Sequence, residues 1–201
     1  MASSLSPTSD SDFQNFNEEH GVDLTHGYLN LRSKALGPAG AARLAGVLAR
    51  DDVRRAVTSV SLGDNGLGSE GVESLAPALS RLPNLTSLAL WMNRIGPNGG
   101  KKLGESLQQS RLDKLVSLDL SNNEIGLEGG KALGQGIGSL RSLKVLHLEG
   151  CKIGEDGVKA IFQGARNLPQ LEEIYFWGNN VSDPVRAELR AQAPDSLELI
   201  F

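Results

Sequence analysis

Leu115-x-x-Leu118-x-Leu120-x-x-Asn123-x-Ile125 is the stretch that decides the fold of this 201-residue chain, because the same pattern returns along the sequence. Four further copies of the pattern start at Val57, Leu85, Leu143 and Leu171. The five starts are 28, 30, 28 and 28 residues apart. A fixed period of this size indicates stacked structural units rather than one wound globular domain. We number the copies one to five from the N-terminus.

The apolar positions of each copy predict a short strand whose alternate side chains point inward. The Asn at the ninth position follows that strand, where the backbone turns, and it can pair polar groups of neighbouring copies that would otherwise be buried without partners. Cys151 takes this position in copy four as a small residue that tolerates burial. A degraded copy precedes these five. It starts at His26 and has Lys34 at the ninth position, so we expect it to form a solvent-facing cap.

A helical stretch follows each strand. Apolar residues there recur at steps of three and four, such as Leu133, Ile137 and Leu140, and this spacing gives one apolar stripe on an α-helix. One strand and one helix per copy predict an α/β fold in the form of a right-handed solenoid, or horseshoe. The parallel strands are expected on its concave face and the helices on its convex face.

The predicted domain boundary lies near residue 21. Residues 1–21 are Ser-rich and polar, which predicts a flexible N-terminal tail or a partial cap. Residues 22–201 are predicted to form the repeat domain, with about six repeats, counting the degraded copy, and a terminal strand.

The pattern L-x-x-L-x-L-x-x-N/C-x-L/I with a helical period of 28 residues resembles the leucine-rich repeats of the ribonuclease-inhibitor-like class. It is similar in this respect to repeat regions of the cytosolic ribonuclease inhibitor, NOD-like receptors, the Ran GTPase-activating protein and tropomodulins. The resemblance covers nearly everything after residue 21. These proteins share the repeat and differ in function, so the resemblance implies the fold and leaves function to the variable surface positions.

Composition narrows the class of function. The net charge is −4, the pI is about 5.4 and no basic run occurs, so we expect no binding to nucleic acid, which needs a clustered basic surface. No apolar stretch is long enough to span a membrane, and no secretory signal follows Met1. One cysteine rules out an internal disulfide framework and fits a reducing compartment. We therefore expect a cytoplasmic protein that does not bind membranes.

Several patterns resemble catalytic or ligand sites, but none of them is complete. The G-x-G-x-x-G at residues 66–71 is explained by glycines that recur with the repeat. Cys151 and His147 are predicted to point to opposite sides of the strand. Asp119, His147 and Tyr175 are predicted to form a row across neighbouring strands with Ser117 and Ser121 nearby, an Asp-His-Ser arrangement that resembles a hydrolase triad but lacks an oxyanion hole. The three histidines and one cysteine do not have metal-ligand spacing. We expect no enzyme activity, no cofactor and no metal.

The outward positions of the strands carry the best signal for function. All four Trp and Tyr residues of the chain fall on this side, where aromatic rings typically anchor protein partners. Acidic residues gather there towards the C-terminus, so a partner's Arg or Lys can stack on the rings and pair with the carboxylates. The predicted partner-binding residues are Trp91, Asp119, His147, Glu149, Glu173, Tyr175 and Trp177.

These observations favour a non-enzymatic protein–protein interaction module, a scaffold or adaptor. Its partner is expected to present a basic or Arg-bearing surface to the concave face. The alternative is a regulator of a small GTPase that resembles the Ran GTPase-activating protein, and a third hypothesis is cytoskeletal capping. The sequence leaves the identity of the partner and the oligomeric state open.

Overall fold

The computed structural model of the chain describes residues 9–21 and 26–201. Within these residues, seven parallel strands form one open sheet in chain order. The strands are β1 (Tyr28–Asn30), β2 (Ser59–Ser61), β3 (Ser87–Ala89), β4 (Ser117–Asp119), β5 (Val145–His147), β6 (Glu173–Tyr175) and β7 (Glu198–Ile200). The helices are α1 (Asp10–His20), α2 (Gly37–Leu48), α3 (Asp51–Ala56), α4 (Gly68–Leu79), α5 (Pro97–Gln108), α6 (Gly126–Ile137), α7 (Gly154–Ala165) and α8 (Asp183–Gln192).

The strands form where the repeat predicts them, with one side facing the core. The central residue of each strand is buried, as Leu118 and Leu146 show, while its two neighbours point to the other side. Strand pairing keeps equivalent positions of successive copies opposite each other, so Leu118 pairs with Leu146. The predicted α/β solenoid is confirmed.

No helix in the described part of the chain is long and apolar enough to span a membrane.

Glycines let the helices of successive copies approach closely. A Cβ atom on Gly104 of α5 would overlap the backbone of Ala132 in α6. A Cβ atom on Gly134 of α6 would overlap the carbonyl group of Ala160 in α7. This close contact fixes the spacing of the copies and therefore the spacing of the side chains that the strands display.

The asparagine ladder, made of Asn65, Asn93, Asn123 and Asn179 with Cys151, connects neighbouring copies at the ends of the strands. All five side chains are buried. The side-chain oxygen of Asn123 accepts from the backbone N–H groups of Asn93 and Ile95, and its amide nitrogen donates to the carbonyl oxygens of Leu90 and Leu120. The predicted role of the ninth position is confirmed.

The N-terminal helix α1 lies against α2 of the degraded copy. Ser9 caps this helix and forms a capping box with Asp12. Phe16 is buried, with the guanidinium group of Arg43 5.4 Å from its ring centre, and Arg43 also pairs with Glu19. Residues 1–8 of the predicted tail, and the predicted boundary at residues 22–25, lie outside the described residues.

Candidate functional site

Strand register brings the predicted site residues together on the exposed side of the sheet. Asp119 of β4 pairs with His147 of β5, which pairs with Tyr175 of β6. This row was predicted from the repeat and is confirmed. Glu173 also lies on β6, while Glu149 and Trp177 lie two residues beyond His147 and Tyr175 on the segments that follow β5 and β6.

His147 is held in place by two of its neighbours. Its Nδ1 atom is 3.1 Å from Oε1 of Glu149, and its ring stacks on Tyr175 with the ring centres 4.5 Å apart. The hydrogen bond to Glu149 raises the pKa of His147; burial opposes this shift, and the charges of Glu149, Asp119 and Glu173 add to it. The site therefore favours a protonated imidazole next to its carboxylates.

The carboxylates of the site have different degrees of pairing. Asp119 accepts hydrogen bonds from the backbone N–H and the hydroxyl group of Ser121, at 2.9 and 2.7 Å. Glu173 accepts a 2.7 Å hydrogen bond from the Tyr175 hydroxyl, which raises the pKa of Tyr175. Oε2 of Glu149 is buried and has no hydrogen-bond partner among the described residues. The Oε2 atom of Glu149 can therefore accept a hydrogen bond from a binding partner.

The two tryptophans differ in exposure. Trp177 is 66% exposed. Trp91 is only partly exposed, because its ring lies in the space above Gly63, where a Cβ atom would overlap the indole. The guanidinium group of Arg32 lies 4.6 Å from the Trp91 ring centre. Both indoles lie on the outward side of the strands, as predicted, but only that of Trp177 is largely free to solvent.

Trp91 also lies apart from the other predicted site residues, on the segment after β3 and next to Gly63 and Arg32. The sequence indicated this contact, because Arg32, Gly63 and Trp91 share the seventh position of successive copies.

Glu198 of β7 was not predicted. It pairs in register with Glu173 and extends the acidic surface by one strand.

The geometry does not assemble a catalytic group from these residues. His147 contacts Glu149, and the hydroxyl of Ser121 donates to Asp119, so among the described residues no serine is hydrogen-bonded to the imidazole as a hydrolase triad requires. Cys151 is buried, its Sγ atom is 3.1 Å from the Leu120 carbonyl oxygen, and burial raises its pKa to about 12. In the described parts of the chain, no group of three His, Cys, Asp or Glu side chains is placed to hold a metal ion.

Four segments of the chain match the family model described as "Leucine Rich repeat", at residues 56–76, 81–104, 113–134 and 139–162. The chain contains leucine-rich repeats. A search of curated proteins found no match to it.

The matched leucine-rich repeats contain strands β2 to β5, whose exposed side continues onto β6 and β7. We call the carboxylates of Asp119, Glu149, Glu173 and Glu198 on this side the acidic cluster. Leucine-rich repeats generally mediate protein–protein interaction. Their scaffold fixes the backbone, and the side chains at the outward positions determine what is bound.

Proposed function

We propose that the chain is a cytoplasmic protein–protein interaction module, a scaffold or adaptor whose partner docks on the exposed, concave side of the sheet over β4 to β6. The observation that carries this proposal is the free indole of Trp177. A large aromatic side chain with two-thirds of its surface in water adds little to folding, whereas aromatic residues commonly dominate the affinity of protein interfaces.

The charge around Trp177 indicates what kind of partner surface fits. Asp119, Glu149 and Glu173 act on His147, and Glu149, Glu173 and Glu198 act on Tyr175, two residues before Trp177. The segment that carries Glu149 is hydrogen-bonded to the Trp177 backbone, so an arginine of the partner that stacks on the indole can pair with Glu149. The Arg32–Trp91 pair shows the same ring geometry inside this chain, with a centroid distance of 4.6 Å. We therefore propose a partner with a basic or Arg-bearing surface.

The test compares two aromatic residues at opposite ends of the same side of the sheet. Tyr28 on β1 is 64% exposed, nearly as much as Trp177, and lies far from the acidic cluster in the strand order. A partner recovered by affinity capture is titrated by calorimetry against the wild-type protein, Trp177→Ala and Tyr28→Ala. We expect Trp177→Ala to lose at least ~2 kcal/mol of binding free energy and Tyr28→Ala to bind as the wild type does.

The same titration tests whether the charge of Glu149 contributes to the affinity for the partner. A variant with Trp177→Ala and Glu149→Gln together is expected to bind more weakly than Trp177→Ala alone. Unchanged affinity in the double variant, or an equal loss with Tyr28→Ala, contradicts the proposed site. If the recovered partner is a small GTPase, the proposed function becomes regulation of that GTPase. An assay of stimulated GTP hydrolysis with the recovered partner tests this alternative.

A further inference from the structure

The segments that lead from each helix into the next strand meet along one edge of the protein, at the N-terminal ends of the strands. The side-chain amide of Asn84 donates to the Arg55 carbonyl oxygen at 2.8 Å. The backbone N–H of Arg111 donates to the Ser80 carbonyl oxygen at 3.3 Å, and the hydroxyl of Ser142 donates to the carbonyl of Asp113. These bonds connect successive copies, so the edge is continuous.

Basic side chains concentrate on this edge from copy one to the start of copy four. We call these residues the basic edge: Arg81, Arg111, Lys114, Arg141 and Lys144. Lys144 pairs with Glu172, and Lys114 donates to the side chain of Asn84. The basic edge belongs to a chain whose net charge is −4, and its segments also carry two acids: Asp113, which is exposed between Arg111 and Lys114, and Glu172, which pairs with Lys144.

Three guanidinium groups of the basic edge are free to bind a ligand. Arg81, Arg111 and Arg141 are exposed, and among the described residues no carboxylate lies within 4.0 Å of any of them. Helix C-termini at this edge favour cations through their partial negative charge. However, these three side chains donate to no carbonyl group in the described structure, so helix capping does not account for them.

We propose that the basic edge is a docking site for an acidic, extended segment of a protein partner, separate from the site on the sheet. An extended chain places alternate side chains about 6.6 Å apart on one side. Carboxylates at that spacing can pair with a row of arginines supplied by copies that follow one another along the edge. Each arginine offers a planar fork of donors that suits a carboxylate.

The surroundings of the basic edge favour an acidic peptide over other anions. The large apolar side chains that are exposed in the described structure are Tyr28, Met92, Leu127 and Trp177. None of them lies in the helix-to-strand segments of the basic edge. Proteins bind single-stranded nucleic acid by stacking bases on aromatic side chains. Binding at a membrane surface buries apolar side chains in the lipid. The described part of the basic edge has no exposed large apolar side chain for either purpose.

The test measures binding of a short fluorescent peptide of alternating Glu and Ser to the full chain by anisotropy at low and high salt. The edge variant carries Arg81→Gln, Arg111→Gln and Arg141→Gln. The control variant carries Lys101→Gln, Lys102→Gln and Lys131→Gln, which removes the same charge from helices α5 and α6. We expect salt-sensitive binding that weakens about tenfold in the edge variant and stays unchanged in the control variant.

Three results would overturn the proposal: no binding of the peptide to the wild type at low salt, equal losses in both variants, or tighter edge-dependent binding of an RNA oligonucleotide or of phosphatidylserine vesicles. Circular dichroism checks that the edge variant folds. If it does not, the single variant Arg141→Gln replaces it, with an expected loss of about twofold; wild-type affinity for that variant also counts against the proposal.

Discussion

Replacing Asn93 by alanine tests the asparagine ladder at its most buried position. The Asn93 side chain is fully buried, and its oxygen accepts from the backbone N–H groups of Asn65 and Leu67 at 3.0 and 3.4 Å. Its amide nitrogen donates to the carbonyl oxygens of Leu62 and Leu90. Alanine removes all of these hydrogen bonds and adds no clash.

The loss in free energy of unfolding expected for Asn93→Ala depends on which backbone groups lose their only hydrogen-bond partner. The carbonyl oxygen of Leu62 still accepts from Asn65, and that of Leu90 still accepts from Asn123. The two backbone N–H groups have no other acceptor among the described residues. A buried group left without a partner costs about 1–3 kcal/mol, so we expect Asn93→Ala to lower the free energy of unfolding by about 2–6 kcal/mol.

Urea denaturation followed by circular dichroism measures this change, with the m-value compared between variants to check that unfolding stays cooperative. Asn98→Ala is the matched control, because Asn98 is exposed on α5 and no side-chain hydrogen bond is present there. We expect that variant to be within about 0.5 kcal/mol of the wild type. A loss below about 1 kcal/mol for Asn93→Ala would refute the proposed role of the ladder.

Two substitutions and one labelling experiment probe the site and its surroundings. Gly63→Ala should displace the Trp91 ring into water, seen as a red shift of tryptophan emission in a Trp177→Phe background; an unshifted spectrum contradicts the packing. Glu149→Gln should lower the His147 pKa, measured by NMR titration, because it removes the main cause of the raised value. The wild-type pair stabilises the fold fully below the ordinary value of 6.5 and loses this contribution as pH rises through the raised pKa, so this pH dependence should flatten in the variant. Cys151 should resist a thiol-specific reagent at about pH 8 until the protein unfolds, since burial raises its pKa to about 12; rapid labelling of the native protein would contradict this.

The fold was predictable because the same residues recur at the same positions. Apolar residues at the fourth and sixth positions, Asn or Cys at the ninth and a helical stripe in each copy specify one strand, one turn and one helix. The row of Asp119, His147 and Tyr175 followed from the same repeat, since parallel strands in register place equivalent positions side by side.

Features that depend on lateral packing were harder to predict. Trp91 is covered because its neighbour in the row is Gly63, which leaves a gap of the right size for an indole. The basic edge is invisible as a run in the sequence, because Arg81, Arg111 and Arg141 are separated by a full repeat. Only stacking of the copies brings their charges together.

The most direct test of the proposed docking site uses ¹⁹F NMR of the protein labelled with 5-fluorotryptophan. The chain has two tryptophans, so two resonances are expected, and Trp177→Phe assigns them. On addition of the recovered partner, the Trp177 resonance should shift or broaden while that of Trp91, held above Gly63, changes little. An unchanged Trp177 resonance in a saturated complex would contradict docking over β4 to β6.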